Sequence, residues 1–311
     1  MYFSQAKQGK NNWWLYIITI FIVFGVQVIA YLPVRIINNI KTNQGNYDIQ
    51  KFQKTLDFSV LGIDQNLGLI LLLFPTMLGA IALFYLMTRL HGKKPGFIFS
   101  YAGRFRWNRL WTALSIWLII TIIAELIYRQ IDPGNYQFQF DVKHFVPLVI
   151  ITLIFIPFQA GLEELLFRSY LMQGFGLVFK YRINALLLTS IIFGLMHSLN
   201  PEVDKFGFWN SMLFYVGFGL FAGLLVVFDN GIEMAIGIHT INNIFGCIFV
   251  TYQSSVLPTA ALWKLKTVDM KLMNIGFLIT SVLFLLIIAI IYKWKNWKKL
   301  FNPIKFQSDT E

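Results

Sequence analysis

Eight apolar runs, near 14–33, 66–88, 108–128, 145–162, 184–199, 209–228, 231–251 and 274–292, leave this chain few folds to choose from. A helix crossing the hydrocarbon core of a bilayer needs about 20 apolar residues. Backbone in lipid must satisfy its own hydrogen bonds, which permits only helices or a closed barrel, and long runs without period-two alternation choose the helix. The sequence therefore predicts an all-α, polytopic membrane protein with about eight transmembrane helices. The run at 184–199 is short for a span, whereas the one at 145–162 reads on as helix to about Gly174. A composition with 31 Phe and 9 Trp in 311 residues excludes an ordinary soluble domain. No internal repeat and no low-complexity linker divides the chain, so residues 1–311 are expected to form one multi-span domain with its motif-bearing core at about 145–251. The stretch 34–65, rich in Asn, Asp, Lys and Gln, reads as a polar external loop, and the tail KFQSDTE as disordered.

The formal charge of +11 raises the question of a nucleic-acid partner. The basic residues argue against one, because they are spread around the spans instead of gathered on a soluble module. Lys7, Lys10, Arg89, Lys93, Lys94, Arg104, Arg106, Arg109, Lys180, Arg182 and the lysines from 293 to 305 fall on one side of an eight-span alternation. The excess of Lys and Arg in cytoplasmic loops then predicts a multi-pass protein of the cell membrane with both termini inside. The opposite loops hold Asp48, Asp57, Asp64, Asp132, Asp141, Glu202, Asp204 and Asp269; only Lys264, Lys266 and Lys271 pull against this orientation. The first run follows a basic stretch as a signal peptide would, but it has no small-residue cleavage site before Pro33 and reads as a retained span. The single cysteine, Cys247, excludes an intramolecular disulfide and a thiolate metal cluster.

Ionisable groups at bilayer depth cost roughly 2.5 to 3.5 kcal/mol each and usually face a protein interior where they have a function. Three sets stand in the C-terminal half: Glu163, Glu164 and Arg168; Phe193 with His197; His239 with Asn243. Residues four apart share a helix face, so Glu164 can pair with Arg168, and His239 and Asn243 point into the same cavity. Glu163 is rotated about 100° from Glu164 and faces elsewhere. Glu163 and His197 lie about 17 and 21 Å from the turn between their helices, at 1.5 Å per residue, and so reach a similar depth. His239 reaches that level only with helix tilt or an offset turn. The remaining histidines, His91 and His144, sit at span ends, where an interfacial histidine is ordinary. Phe193 by itself is a core residue, and Glu125 and Glu233 are assigned structural or interfacial roles.

A carboxylate, two imidazoles and a carboxamide in a desolvated pocket suit hydrolysis of an unactivated bond. The carboxylate takes a proton from water, a histidine orients that water, and the second histidine and the amide donate to the oxyanion. A Glu, His and His set is also a ligand set for catalytic zinc, so residue types leave the metal question open.

EELLFR, FGLMH and HTINN stand as EExxxR, FxxxH and HxxxN, in that order. This set resembles the CPBP family of intramembrane endopeptidases, the CAAX-processing or Abi proteases, which includes members linked to bacteriocin immunity. The resemblance covers about 80 residues, from Glu163 to Asn243, and implies an intramembrane active-site cavity. It implies that Glu163 acts as catalytic base on water with His197, that His239 and Asn243 stabilise the oxyanion, and that Glu164, Arg168 and Phe193 support them. It further implies a peptide or protein-tail substrate at the lipid bilayer. The glutamate mechanism without a cofactor is favoured; if zinc is used, Glu163, His197 and His239 are its ligands. There is no HExxH, no GxSG-type serine in a span and no GxGD sequence with paired aspartates, which sets other intramembrane proteases aside. A proton-coupled transporter would show inverted repeats and broken helices in matching halves, and a non-catalytic immunity or scaffold protein would not need the intact motif set. The first 140 residues carry no motif that identifies a substrate.

Overall fold

A computed structural model describes residues 2–45 and 47–306. Helices α1 (Trp13–Ala30), α2 (Leu32–Gln44), α3 (Ile49–Thr55), α4 (Gln65–Arg89), the short α5 (Pro95–Phe99) and α6 (Trp107–Ile131) form the N-terminal half. A strand, β1 (Tyr136–Phe138), leads into α7 (Val142–Glu164), which continues through a π-wound stretch, Leu165–Leu171, into α8 (Met172–Phe179). Then follow α9 (Arg182–Met196), α10 (Pro201–Phe206), α11 (Phe208–Asp229), α12 (Glu233–Ile248), β2 (Val250–Tyr252), β3 (Trp263–Leu265) and α13 (Met270–Ile291).

Among the described residues, six helices are long and apolar enough to cross a membrane: α1, α4, α6, the continuous α7–α8, α11 and α13. The two remaining expected spans are shorter. α9 has 15 residues and α12 has 16, about 22 and 24 Å at 1.5 Å per residue, against a hydrocarbon core of about 30 Å. The protein is an all-α polytopic membrane protein; of these two helices α12 is enclosed by its neighbours, whereas α9 keeps Leu187, Ile191 and Leu195 exposed along one face. α12 is buried over most of its length, while Phe21 and Ile29 on α1 and Leu278 and Ile279 on α13 are among many apolar side chains turned outward, as a lipid-facing surface requires.

The two ends of the bundle are built differently. At one end lie the starts of α4, α7 and α13, each capped by an aspartate of the acidic loops. Asp64 accepts from the backbone N–H groups of Asn66 and Leu67, Asp141 from that of Lys143, and Asp269 from those of Lys271 and Leu272, satisfying donors that a helix start leaves free. Here β1, β3 and β2 form a small sheet in that order, β1 antiparallel and β2 parallel to β3. The stretch 34–65, expected as a loop, is folded. It carries α2 and α3, and Val34, Phe52, Phe58 and Leu61 make a small core of their own, because its polar residues alternate with enough apolar ones to bury a face.

The other end is closed by both terminal segments. Tyr2 is fully buried, its hydroxyl 2.6 Å from the Ile98 carbonyl oxygen. Asn230, in the left-handed conformation that ends α11, accepts from the Tyr2 backbone N–H and from Lys299 Nζ (2.9 Å); short polar side chains tolerate that conformation best after glycine. Ile232 N–H donates to the Phe99 carbonyl and Glu233 is fully buried, so α12 begins beneath a layer of chain. That is the offset turn His239 needed. His91, expected at an interface, is fully buried between Thr19 and Tyr170. Of the tail, Phe306 packs on the core, and residues 307–311 lie outside the described residues.

Candidate active site

Helix α7 carries three polar residues within two turns: Gln159, Glu163 and Glu164. Glu163 points toward the end of α9 and the middle of α12, with its Oε2 3.7 Å from His197 Nε2 and 3.8 Å from His239 Nε2. Glu164 is turned into the protein and is fully buried. Its Oε2 lies 3.2 Å from Arg168 Nε, and its Oε1 accepts a hydrogen bond from His239 Nδ1 at 2.8 Å. Arg168, itself buried, follows one turn later inside the π-wound stretch. Its guanidinium carbon sits 4.4 Å from the centre of the Phe193 ring, and Nη2 donates to the Gly219 carbonyl (3.4 Å). Gly219 also lets α11 pack closely on α9: a Cβ at 219 would stand 2.9 Å from Ser190 Cα. π-turns within α-helices are rare and cluster at functional sites.

The carbonyl and carboxylate partners fix which nitrogen of each imidazole carries a proton. His197 lies just past the end of α9 and directs Nδ1 at the Phe193 carbonyl, 2.7 Å away. A carbonyl only accepts, so Nδ1 is protonated and, in the neutral ring, Nε2 offers a lone pair to the cavity. The ring is held between Phe193 and Tyr215, with centroids at 4.5 and 4.4 Å. For His239, the Glu164 carboxylate likewise takes the Nδ1 proton, leaving Nε2 toward Glu163.

Two residues missed in the sequence complete the arrangement. Gln159 Nε2 donates to Glu163 Oε1 (2.5 Å), and Gln159 Oε1 accepts from Asn243 Nδ2 (2.8 Å). Its signal was available: Gln159 stands four residues before Glu163, on the same face of an apolar helix. Tyr215, one of 13 tyrosines, gave none. Asn243 also accepts from Asn242 Nδ2 (3.4 Å), whose own carbonyl oxygen takes the Trp117 indole N–H (3.4 Å). The structure thus brings together Glu163, Glu164, Arg168, Phe193, His197, His239 and Asn243. Glu233 stands apart, in a two-point ion pair with Arg106.

These groups line a cavity of about 630 Å³ that extends past Trp117, Thr121 and Glu125 of α6 and Phe277 of α13 to the small sheet. Near the sheet, burial pushes the Glu202 carboxyl above its ordinary range, opposed by hydrogen bonds that include one from Val256 N–H (2.7 Å). Glu163 Oε2 has no hydrogen-bond partner among the described residues. At 3.7 and 3.8 Å from the two Nε2 atoms, it is too far for direct hydrogen bonds and stays open to a water in the cavity. These separations exceed the edge of about 3.4 Å in a tetrahedron with zinc bonds of about 2.1 Å, and among the described residues no three His, Cys, Asp or Glu side chains form a group that could hold a metal ion.

Residues 142–245 match the family described as type II CAAX prenyl endopeptidase Rce1-like. All three motifs lie within the matched segment. This match agrees with the CAAX-protease resemblance of the motifs and runs from the first turn of α7 to Phe245 on α12. A longer similarity, 29% identity over 262 residues, covering 82% of this chain and 83% of the relative, links it to the uncharacterized protein YyaK of Bacillus subtilis (strain 168). No solved structure gives a significant match. The matched segment holds Gln159 as well as the motif residues, whereas α1 to α6, β3 and α13, which supply much of the cavity wall, lie outside it.

Proposed function

We propose that the protein is an intramembrane endopeptidase that hydrolyses peptide bonds of membrane-associated peptides or protein tails at the cell membrane. The observation that carries this reading is the convergence of His197 Nε2 and Glu163 Oε2, both acceptors when His197 is neutral, across 3.7 Å inside the cavity. A water between two acceptors donates both protons to them and turns its lone pairs toward a bound carbonyl carbon. Attack forms the new C–O bond while Glu163 takes one proton. The Asn243 amide and His239 Nε2 face the same space and donate to the oxyanion, His239 doing so as an imidazolium whose Nδ1–H stays on Glu164. On collapse the C–N bond breaks, the proton held by Glu163 passes to the leaving nitrogen, and the products are an amine and a carboxylic acid, which then loses its remaining proton to His197 Nε2 and on to solvent.

Glu163→Gln is the test. Proteomic comparison of membranes expressing the wild type and this variant should show cleavage products only with the wild type, from equal amounts of folded protein. Cleavage that survives the substitution sinks the assignment. Inactivation of the wild type by a strong chelator, restored by zinc, would replace the metal-free mechanism.

A further inference from the structure

Among the described residues, no lysine or arginine lines the cavity that holds Glu163, although the chain has 26 of them. Its charged walls are Glu125, Glu163 and Glu202. Glu163 is engaged by Gln159 and faces the two histidines. The other two acids have no part in the hydrolysis.

Both are held beneath one row of the small sheet. Tyr136, Leu265 and Tyr252 are in register across β1, β3 and β2, and residues paired in this way share a face. Leu265 and Tyr252 line the cavity. The Tyr136 side chain interacts with that of Glu125, and the Tyr252 hydroxyl lies 3.4 Å from Glu202 Oε1. Two strand spacings, about 10 Å, separate the backbones of the two tyrosines. Each acid keeps one oxygen without a hydrogen-bond partner among the described residues: Glu125 Oε1 and Glu202 Oε2, both buried. Glu202 as a whole is 5% exposed.

Arg129, one turn beyond Glu125, does not neutralise it at contact. Its guanidinium carbon stacks 3.9 Å from the centre of the Trp263 ring, and no ion pair within 4.0 Å joins it to Glu125. A carboxylate oxygen held from water without a counter-charge is costly, and within a membrane such groups mark the path of a ligand.

We propose that Glu125 and Glu202 form a cation subsite at the sheet end of the cavity, selecting peptide segments that carry a lysine or arginine side chain near the bond that is cut. This rests on the endopeptidase reading above. Trp117, Thr121 and Glu125 lie at four-residue steps on one face of α6, and Trp117 bonds Asn242, next to Asn243 of the site. Eight residues of helix span about 12 Å, and an extended peptide covers about 3.3 Å per residue. The cationic side chain therefore falls three or four residues from the scissile bond.

The test uses the full chain in lipid nanodiscs and fluorescein-labelled single-span peptides identical except for one Lys, Gln or Glu, read by anisotropy. With Glu163→Gln protein, which holds a peptide without cutting it, the Lys peptide should bind about tenfold tighter than the Gln peptide, an effect of the size that charge complementarity gives. The Glu peptide should bind weakest. Glu125→Gln and Glu202→Gln, placed in that background, should each reduce the preference and together bring it within about twofold, while Glu125→Lys should reverse it toward the Glu peptide. Thermal midpoints check folding, and if Glu202→Gln does not fold, Glu125→Gln and Glu125→Lys decide alone. Equal binding of the three peptides to the Glu163→Gln protein, or a Lys preference unchanged by Glu125→Gln and Glu125→Lys, overturns the subsite. If the wild type fails to cut a Lys peptide that it binds selectively, the endopeptidase reading fails and the subsite stands.

Discussion

His239 donates its Nδ1–H to Glu164 Oε1 at 2.8 Å, and this contact makes two adjacent acids into groups with different work. It leaves His239 Nε2 facing Glu163, 3.8 Å away. Glu164, between Arg168 and His239, has the surroundings of a group that orients another. Glu163, with one oxygen turned to the cavity, has those of a group that reacts.

The first prediction concerns that contrast. Glu164 and Arg168 are both buried, and removing one partner of a buried ion pair leaves an uncompensated charge at a cost of roughly 3 to 5 kcal/mol. Glu164→Gln should lower the thermal midpoint and membrane yield as well as activity, and Glu164→Gln with Arg168→Met should recover part of the midpoint without the activity. Glu163→Gln should leave the midpoint unchanged. Unfolding in detergent by intrinsic fluorescence measures all three, and equal destabilisation by Glu163→Gln and Glu164→Gln would contradict the division.

Gln159 gives the second. Its amide links Glu163 to Asn243, so Gln159→Leu should free both side chains to rotate and reduce the rate of cleavage about 10- to 100-fold, as the loss of an orienting hydrogen bond does. The half-buried position accepts an apolar side chain, so the midpoint should change little. A rate close to wild type in the peptide-cleavage assay would mean that Glu163 is held by its histidine neighbours alone.

How much of this was legible follows from the range of each signal. The apolar runs are local, and they placed the helices within a few residues. Glu163 and His197 are related by a hairpin, and helix rise alone put them at one depth. His239 belongs to a helix whose starting level depends on the Tyr2 and Lys299 segments packing over Asn230, and no local pattern encodes that contact. The same packing buries His91, which its sequence neighbours made look interfacial. Glu125 was assigned a structural or interfacial role because Tyr136, which interacts with it, comes from a strand formed only when β3 returns 127 positions later along the sequence. The π-wound stretch carrying Arg168 has no sequence mark beyond the motif itself.

A third prediction follows from Lys93, outside the spans and buried with Nζ 3.3 Å from Gln173 Oε1 and 3.4 Å from the Ala6 carbonyl oxygen. Burial brings its amine down from 10.5 to about 8. Below about pH 8 the group is charged in folded and unfolded chains, and the cost of burying that charge is fully present. Between there and the ordinary lysine range the folded chain releases the proton while the unfolded chain keeps it, so stability rises with pH. Lys299, brought to about 8 chiefly by burial, acts in the same sense. Lys93→Met should therefore flatten part of the rise in thermal midpoint between about pH 7.5 and 10, with Lys299 supplying the remainder. An unchanged slope would show that Lys93 does not titrate in that window.

The fourth prediction fixes the orientation. Cys247 is buried, so it should stay dark to a membrane-impermeant maleimide and single engineered cysteines should report alone. Ala102, exposed in the segment between α5 and α6, lies at the end that holds both termini, and Lys54, exposed at the end of α3, lies at the sheet end. The excess of Lys and Arg around the terminal end predicts that it faces the cytoplasm. Intact cells should then label Lys54→Cys and spare Ala102→Cys until the membrane is opened. Labelling of Ala102→Cys in intact cells would reverse the orientation and with it the compartment from which the acidic end of the cavity is reached: outside the cell if the sheet end faces outward, the cytoplasm if it does not.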